Sequence, residues 1–305
     1  MIRKIIGRAF VHRALSVTME LLRRLRRGLF LLAFVAEMTA TSSGSFAQSL
    51  GAAGVQSARD PPYRAIGQVV GPIPCTGAIV LHPRIVLTAA DCVVGRVRLG
   101  RTVSFRLAYQ VGQSSNAYEG HVAAVGSIRQ RQAQSIYDAS QDWAIILLDK
   151  RPPGIRPLDV ASYTLQKLQA MRGRILLPSY SRGLVQGQAL SVDPSCSIEG
   201  VKWEVLVHNC SAGVGALGAP LIVRDEDCYS VVGIHSGTML VEDRENHMQL
   251  AGHSAIAAWN FVDRLHKVLG RLNVEEGIND TPMPSSNTCS SGMILSRFGP
   301  PPTSL

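Results

Sequence analysis

Two carboxylates, two imidazoles and a few hydroxyls stand where the apolar pattern of this chain changes. Asp91 closes the run 77–92, Gly-Ala-Ile-Val-Leu-His-Pro-Arg-Ile-Val-Leu-Thr-Ala-Ala-Asp-Cys, and Asp142 opens the apolar run 143–148. Further on come His208, Ser211, the turn Gly215-Ala216-Leu217-Gly218-Ala219-Pro220, and the run Val232-Gly233-Ile234-His235-Ser236-Gly237. A carboxylate, an imidazole and a hydroxyl bonded in series are the parts of nucleophilic catalysis. Adjacency does not assemble them here, because neighbours on a strand point to opposite faces and His235 cannot serve Ser236. Taken alone, Asp142 reads as a loop-to-strand aspartate capping a turn. His247 and His253 have no acid–histidine motif nearby, so no metal and no cofactor is expected.

The elements that must position these residues are short strands. Within 77–92 an apolar run meets the turn His82-Pro83-Arg84, and a β-branched run then ends on a small-residue corner. Comparable runs fall at 66–70, 78–81, 85–88, 103–109, 121–125, 143–148, 175–178, 205–207, 220–223 and 229–234. That spacing predicts an all-β sandwich or barrel. The segment 257–272 differs, with Phe261, Leu265, Val268 and Leu272 at steps of three and four: an amphipathic helix.

Composition bounds the alternatives. The 305 residues are 46% hydrophobic and 17% charged, which excludes disorder of the whole chain. Of the net charge of +9, residues 1–47 carry eight basic and two acidic residues, so six of the nine charges sit there. No basic stripe with interleaved aromatics follows, and nucleic acid is not expected as a partner. That leader has basic residues Arg23, Arg24, Arg26 and Arg27, an apolar run at 29–36, and Ser45-Phe46-Ala47. It reads as a signal peptide cleaved after Ala47, placing the chain outside the cell or in the periplasm, and Met19 is an alternative start. The apolar run is far short of the about 20 residues of a spanning helix, so no stable membrane anchor is expected. Residues 48–64 read as a flexible lead-in and 273–305 as a Pro/Ser-rich, mostly unstructured tail.

Six cysteines in an exported chain read as disulfide partners. Cys75 and Cys92 would tie the start of one strand to the end of the next, and Cys196 and Cys210 bracket a hairpin-like stretch. Cys228 and Cys289 remain: a pair pinning the tail to the barrel, or two free thiols.

Cys75-Thr76-Gly77, followed by Val86-Leu87-Thr88-Ala89-Ala90-Asp91-Cys92, resembles the segment of trypsin-like serine proteases that carries the catalytic histidine between Ala-Ala and Cys. Asp91 occupies that place. Asp142-Trp143-Ala144 with its aliphatic run resembles the strand bearing the carboxylate that orients the histidine. Gly215-Ala216-Leu217-Gly218-Ala219-Pro220 resembles Gly-x-Ser-Gly-x-Pro, with Leu217 where the nucleophilic serine stands. Gly233-Ile234-His235-Ser236-Gly237 resembles the strand lining the substrate cleft. The resemblance spans 65–252 and implies a domain over 65–272, built from two antiparallel β-barrels of trypsin-like type with a C-terminal helix.

It also implies a site. Gly215 and Leu217 would supply an oxyanion-hole-like backbone, Ser211 the base of the specificity pocket, and Ser236 and Gly237 the cleft wall. A neutral Ser211 gives no reason for a preference for Arg or Lys. Ala216 replaces the acid whose ion pair with a new N-terminus activates such zymogens. With Asp91 and Leu217 in the histidine and serine places and only Asp142 retained, the expectation is an exported, non-catalytic homologue, a pseudoprotease that takes a protein or an extended peptide in the former cleft. The alternatives are an active serine-type endopeptidase or other hydrolase using rearranged residues, and a barrel whose cleft has decayed. If Asp91 and Asp142 are neighbours, one must hold a proton or a basic group must have moved in.

Overall fold

The computed structural model describes residues 54–55, 57–71, 73–93, 102–109, 116–126, 136–181, 188–225, 228–242 and 248–278. The signal-peptide expectation lies outside these residues, as do most of the tail, His247 and Cys289, and the Cys228–Cys289 expectation with them.

Seven strands come before the midpoint: β1 (Gly54–Val55), β2 (Ile66–Val70), β3 (Cys75–Ile79), β4 (Ile85–Thr88), β5 (Thr102–Leu107), β6 (Asn116–Val125) and β7 (Ala144–Leu148). After β8 (Asp159–Val160) and helix α1 (Leu165–Ala170) come β9 (Ile175–Ser179), β10 (Ser191–Cys196), β11 (Ile198–Lys202), β12 (Val205–His208), β13 (Pro220–Asp225), β14 (Cys228–Glu242), β15 (Met248–Ala257) and helix α2 (Val262–Glu275). Strands β2-β3-β4-β7-β6-β5 close into a barrel. The second sheet runs β1-β10-β9-β13-β14-β15-β12-β11, with β8 beside β14. Among the described residues no helix is long and apolar enough to cross a membrane.

The pattern of burial explains why β3 and β4 dominate the sequence. Every residue of Cys75–Ile79 and Ile85–Thr88 is buried, so both strands read as unbroken apolar runs rather than as alternation. β5, with one face to solvent, alternates exposed and buried. Phe261, Leu265, Val268 and Leu272 are buried in the same core as the first barrel. They form the helix face that the periodicity predicts.

Two differences have local causes, and the expected hairpin between Cys196 and Cys210 turns without its usual residues. Residues 54–55 of the lead-in, read as flexible, pair with Val192 and Ser191 of β10, and Ala58 is buried; backbone pairing orders a stretch with little apolar pattern of its own. Helix α2 continues three residues into the segment read as tail. Beyond it Glu276 is fixed by Arg84 at 3.0 Å and Arg151 at 2.8 Å, both from the first barrel. The hairpin of β11 and β12 turns on Trp203 and Glu204, both at positive φ, 51° and 62°. A two-residue turn whose twist suits its strands needs that conformation, usually supplied by Asn-Gly.

Candidate active site

Thr88 of β4 lies opposite Ala144 of β7 in antiparallel register. The chain leaving β4 and the chain entering β7 therefore meet at one end of the barrel. Beyond β4 a 3₁₀ turn, Ala90–Cys92, carries Asp91, and Asp142 stands two residues ahead of β7. The Asp91 N–H donates to Asp142 Oδ1 at 3.0 Å, and the Ala90 N–H reaches the same carboxyl. The two carboxylates are thus neighbours, as the resemblance implies.

Their environments differ. Asp91 is exposed, whereas Asp142 is half-buried with its carboxyl turned away from water. Desolvation has the largest effect on Asp142 and outweighs its N–H bonds; the charge of Asp91 adds to it, and the carboxyl is pushed up from 3.8 to about 7. Asp142 is thus the member of the pair raised toward neutrality, about half protonated near pH 7 and protonated below it. Among the described residues no cation pairs with either carboxylate.

The glycine turn lies between the two sheets. Gly215 (φ 104°) and Gly218 (φ 78°) sit in the left-handed region. A Cβ on Gly215 would strike the Tyr180 carbonyl, and one on Gly218 would strike Thr88 Oγ1 and the Thr76 carbonyl. The Ala216, Gly218 and Ala219 N–H groups donate to the carbonyls of Gly213 (2.9 Å), His235 (2.8 Å) and Ala216 (2.8 Å). The Gly215 and Leu217 N–H groups have no protein acceptor among the described residues. Two unspent backbone donors flanking one residue are what an oxyanion hole requires. Leu217 brings no hydroxyl to it: its side chain packs, half-buried, against the first core. The Cys75–Cys92 disulfide closes the same corner, with Cys92 Sγ 3.6 Å from the Leu217 carbonyl.

Ser211 and Ser236 are both half-buried. The Ser211 N–H donates to Asp193 Oδ2 at 2.7 Å, so a buried carboxylate from β10 underlies the expected pocket base. Ser236 Oγ lies 3.1 Å from Ser254 Oγ, and the β14–β15 register shifts between His235 and Gly237. The Cys196–Cys210 disulfide spans the foot of the β11–β12 hairpin.

Sequence reasoning took His208 and His235 as candidate imidazoles for a displaced pair with serine and His253 as an ordinary histidine, and did not join the three. The structure gathers them, because β12 pairs with β15, which pairs with β14. Their ring centroids are 5.3, 5.6 and 5.7 Å apart. His208 Nδ1 accepts the Cys210 N–H at 3.2 Å, so the proton of the neutral ring is on Nε2. Nε2 donates to His235 Nδ1 at 3.1 Å, which in turn places the His235 proton on its own Nε2. Burial first, then mutual repulsion, keeps the trio uncharged; His208 is lowered well below 6.5 and His235 to about 3. Only a long-range alignment of strands β12, β14 and β15 would have revealed this cluster in the sequence. Among the described residues no group of His, Cys, Asp and Glu is arranged to hold a metal ion.

The family described as Trypsin matches residues 53–259. A solved structure described as "Structure of Glu endopeptidase in complex with MPD" aligns with a TM-score of 0.51 and 15% identity, covering 71% of this chain and 96% of that one. At that identity the likeness is one of fold. No curated protein matches the chain. The closed barrel, the second sheet, the C-terminal helix and a match over more than half of its length together show that this chain belongs to the trypsin family.

Proposed function

We propose that this chain is an exported trypsin-family protein that has lost peptide-bond cleavage and binds an extended peptide in the former substrate cleft. The observation that carries it is Leu217, a side chain with no lone pair on the residue that bears one of the two free donors, where the reaction needs a hydroxyl. Asp91 deprives the site of its base as well, and the neighbouring Asp142 has only backbone N–H groups to orient. With both nucleophile and base gone, an intact donor pair by itself supplies only about 10³- to 10⁴-fold over water. Export is supported by the leader, read from sequence, and by the two disulfides, which persist in oxidising compartments.

The side chain taken by the pocket is a carboxylate. No basic-residue preference comes from Ser211, whereas the imidazole trio ends in a His235 Nε2–H directed by two successive hydrogen bonds. The structural neighbour is named a Glu endopeptidase. Bound Glu would recruit a proton into the trio, an exchange that neutral imidazoles permit and a buried Lys or Arg would not require.

Peptidase activity of the purified mature chain, beside the double variant Asp91→His with Leu217→Ser, tests the proposal. The native chain is expected to be silent on a mixed protein substrate and the variant to cut, with a preference for Glu over Gln and Lys. Turnover by the native chain, after contaminating proteases are excluded, would sink the non-catalytic reading and favour rearranged residues. The contact of His253 Nδ1 with Thr238 Oγ1 at 3.4 Å would then be the first pair to mutate.

A further inference from the structure

We infer that Thr76 keeps the 213–219 turn in its donor-presenting form, so that the site is assembled without an inserted N-terminus. Thr76 belongs to β3 in the first barrel and is fully buried, while the turn lies ahead of β13 in the second sheet. Its N–H donates to the Leu217 carbonyl at 2.8 Å, and its Oγ1 donates to the Gly215 carbonyl at 2.7 Å. The same Oγ1 accepts the Tyr180 N–H at 3.0 Å, which fixes the rotamer of the hydroxyl. Thr88 Oγ1 donates to the Thr76 carbonyl at 2.8 Å, so Thr76 is itself held from β4.

The geometry gives these bonds a direction. The Leu217 N–H belongs to the peptide unit between Ala216 and Leu217. The units on either side of it carry the Gly215 and Leu217 carbonyls, and Thr76 anchors both. With those two planes fixed, the intervening N–H has no freedom to turn inward. The Gly218 N–H, bonded to the His235 carbonyl, locks the far side. Ala216 is fully buried and has no carboxylate to meet an incoming ammonium group. A buried acceptor that loses its donor carries the full desolvation penalty, so the hydroxyl matters to the turn beyond its packing. Thr76 is therefore a positioning residue, and the cleft is ready as the chain folds. None of this depends on whether the cleft cuts or only binds.

Amide hydrogen exchange on the full mature chain tests this, with the β13 and β14 amides as an internal reference. The Ala216, Gly218 and Ala219 amides are expected to be protected in the native chain and to stay so when the N-terminal amine is selectively acetylated. Thr76→Val, which removes the hydroxyl but keeps the N–H, should speed their exchange at least tenfold while the reference strands hold; Thr76→Ser should restore protection. Unchanged turn protection in Thr76→Val would overturn the inference, and so would a turn released by acetylation. Should Thr76→Val fail to fold, the acetylated chain and Thr76→Ser still decide: loss of turn protection in either refutes the role given to the hydroxyl.

Discussion

Replacing Asp142 with Asn should stabilise the protein, and by an amount that grows with pH. In the unfolded chain the carboxyl titrates at 3.8, and in the folded chain at about 7. Between those values the folded state binds the extra proton, so this group's contribution is most favourable below pH 4 and is lost as pH rises toward 7. The difference of about 3 pKa units corresponds to about 4 kcal/mol at most, since the residue keeps some contact with solvent. An Asn at this position has no charge to desolvate, and its Oδ1 still accepts the Asp91 N–H. Urea unfolding of both proteins from pH 4 to pH 8 measures the difference, in which every other titrating group cancels. The variant is expected to match the native chain near pH 4 and exceed it by 2–4 kcal/mol at pH 8. A difference constant within about 0.5 kcal/mol across that range would refute the buried-proton argument. Asp91→Asn separates the two causes: it removes only the repulsion and should recover a minor share of the gain.

Two other expectations test the frame around the site. Gly218→Ala must place a Cβ against Thr88 Oγ1 and the Thr76 carbonyl at a φ of 78°. The left-handed conformation alone costs about 1–2 kcal/mol, and the overlap adds to it. Gly173→Ala, at a φ of 76° with nothing within 4 Å, is the control and should cost only the first part; equal losses in the two variants would mean that the turn is not tightly seated. His235 should be a neutral ring protonated at Nε2 at pH 5 by imidazole 15N NMR, because its folded pKa is lowered to about 3. The trio's contribution to stability is accordingly full above about pH 6.5 and is lost as pH falls toward the lowered values, opposite in sign to that of Asp142. An imidazolium at pH 5 would show that water reaches the cluster.

Much of this protein is local and so can be read from the chain alone. Unbroken apolar runs mark β3 and β4 because those strands are buried on both faces, and alternation marks β5 because one of its faces meets solvent. The 3.6-residue period marks the face of α2, and cysteines bracketing single strand pairs give the Cys75–Cys92 and Cys196–Cys210 disulfides. The ordered motifs place Asp91, Asp142 and Leu217 in the turns where the fold needs them. Strands β10 and β15 escape this reading; Ser191-Val192-Asp193-Pro194-Ser195-Cys196 has no apolar alternation, and its pairing comes from its neighbours. The hairpin turn at Trp203 and Glu204 lacks the glycine that would announce it.

The chemistry of the site is decided at a distance. The sequence by itself determines that position 217 is a leucine and position 91 an aspartate, since residue identity is all that question requires. Only the tertiary structure decides that Asp142 keeps a proton, because dehydration depends on what packs over the carboxyl. Strand register brings three histidines from β12, β14 and β15 into one uncharged cluster. Inter-barrel packing lets Thr76 reach carbonyls 139 and 141 residues away in the chain. Burial, register and contact between sheets are properties of residues far apart in sequence, and a periodic pattern along the chain does not encode them.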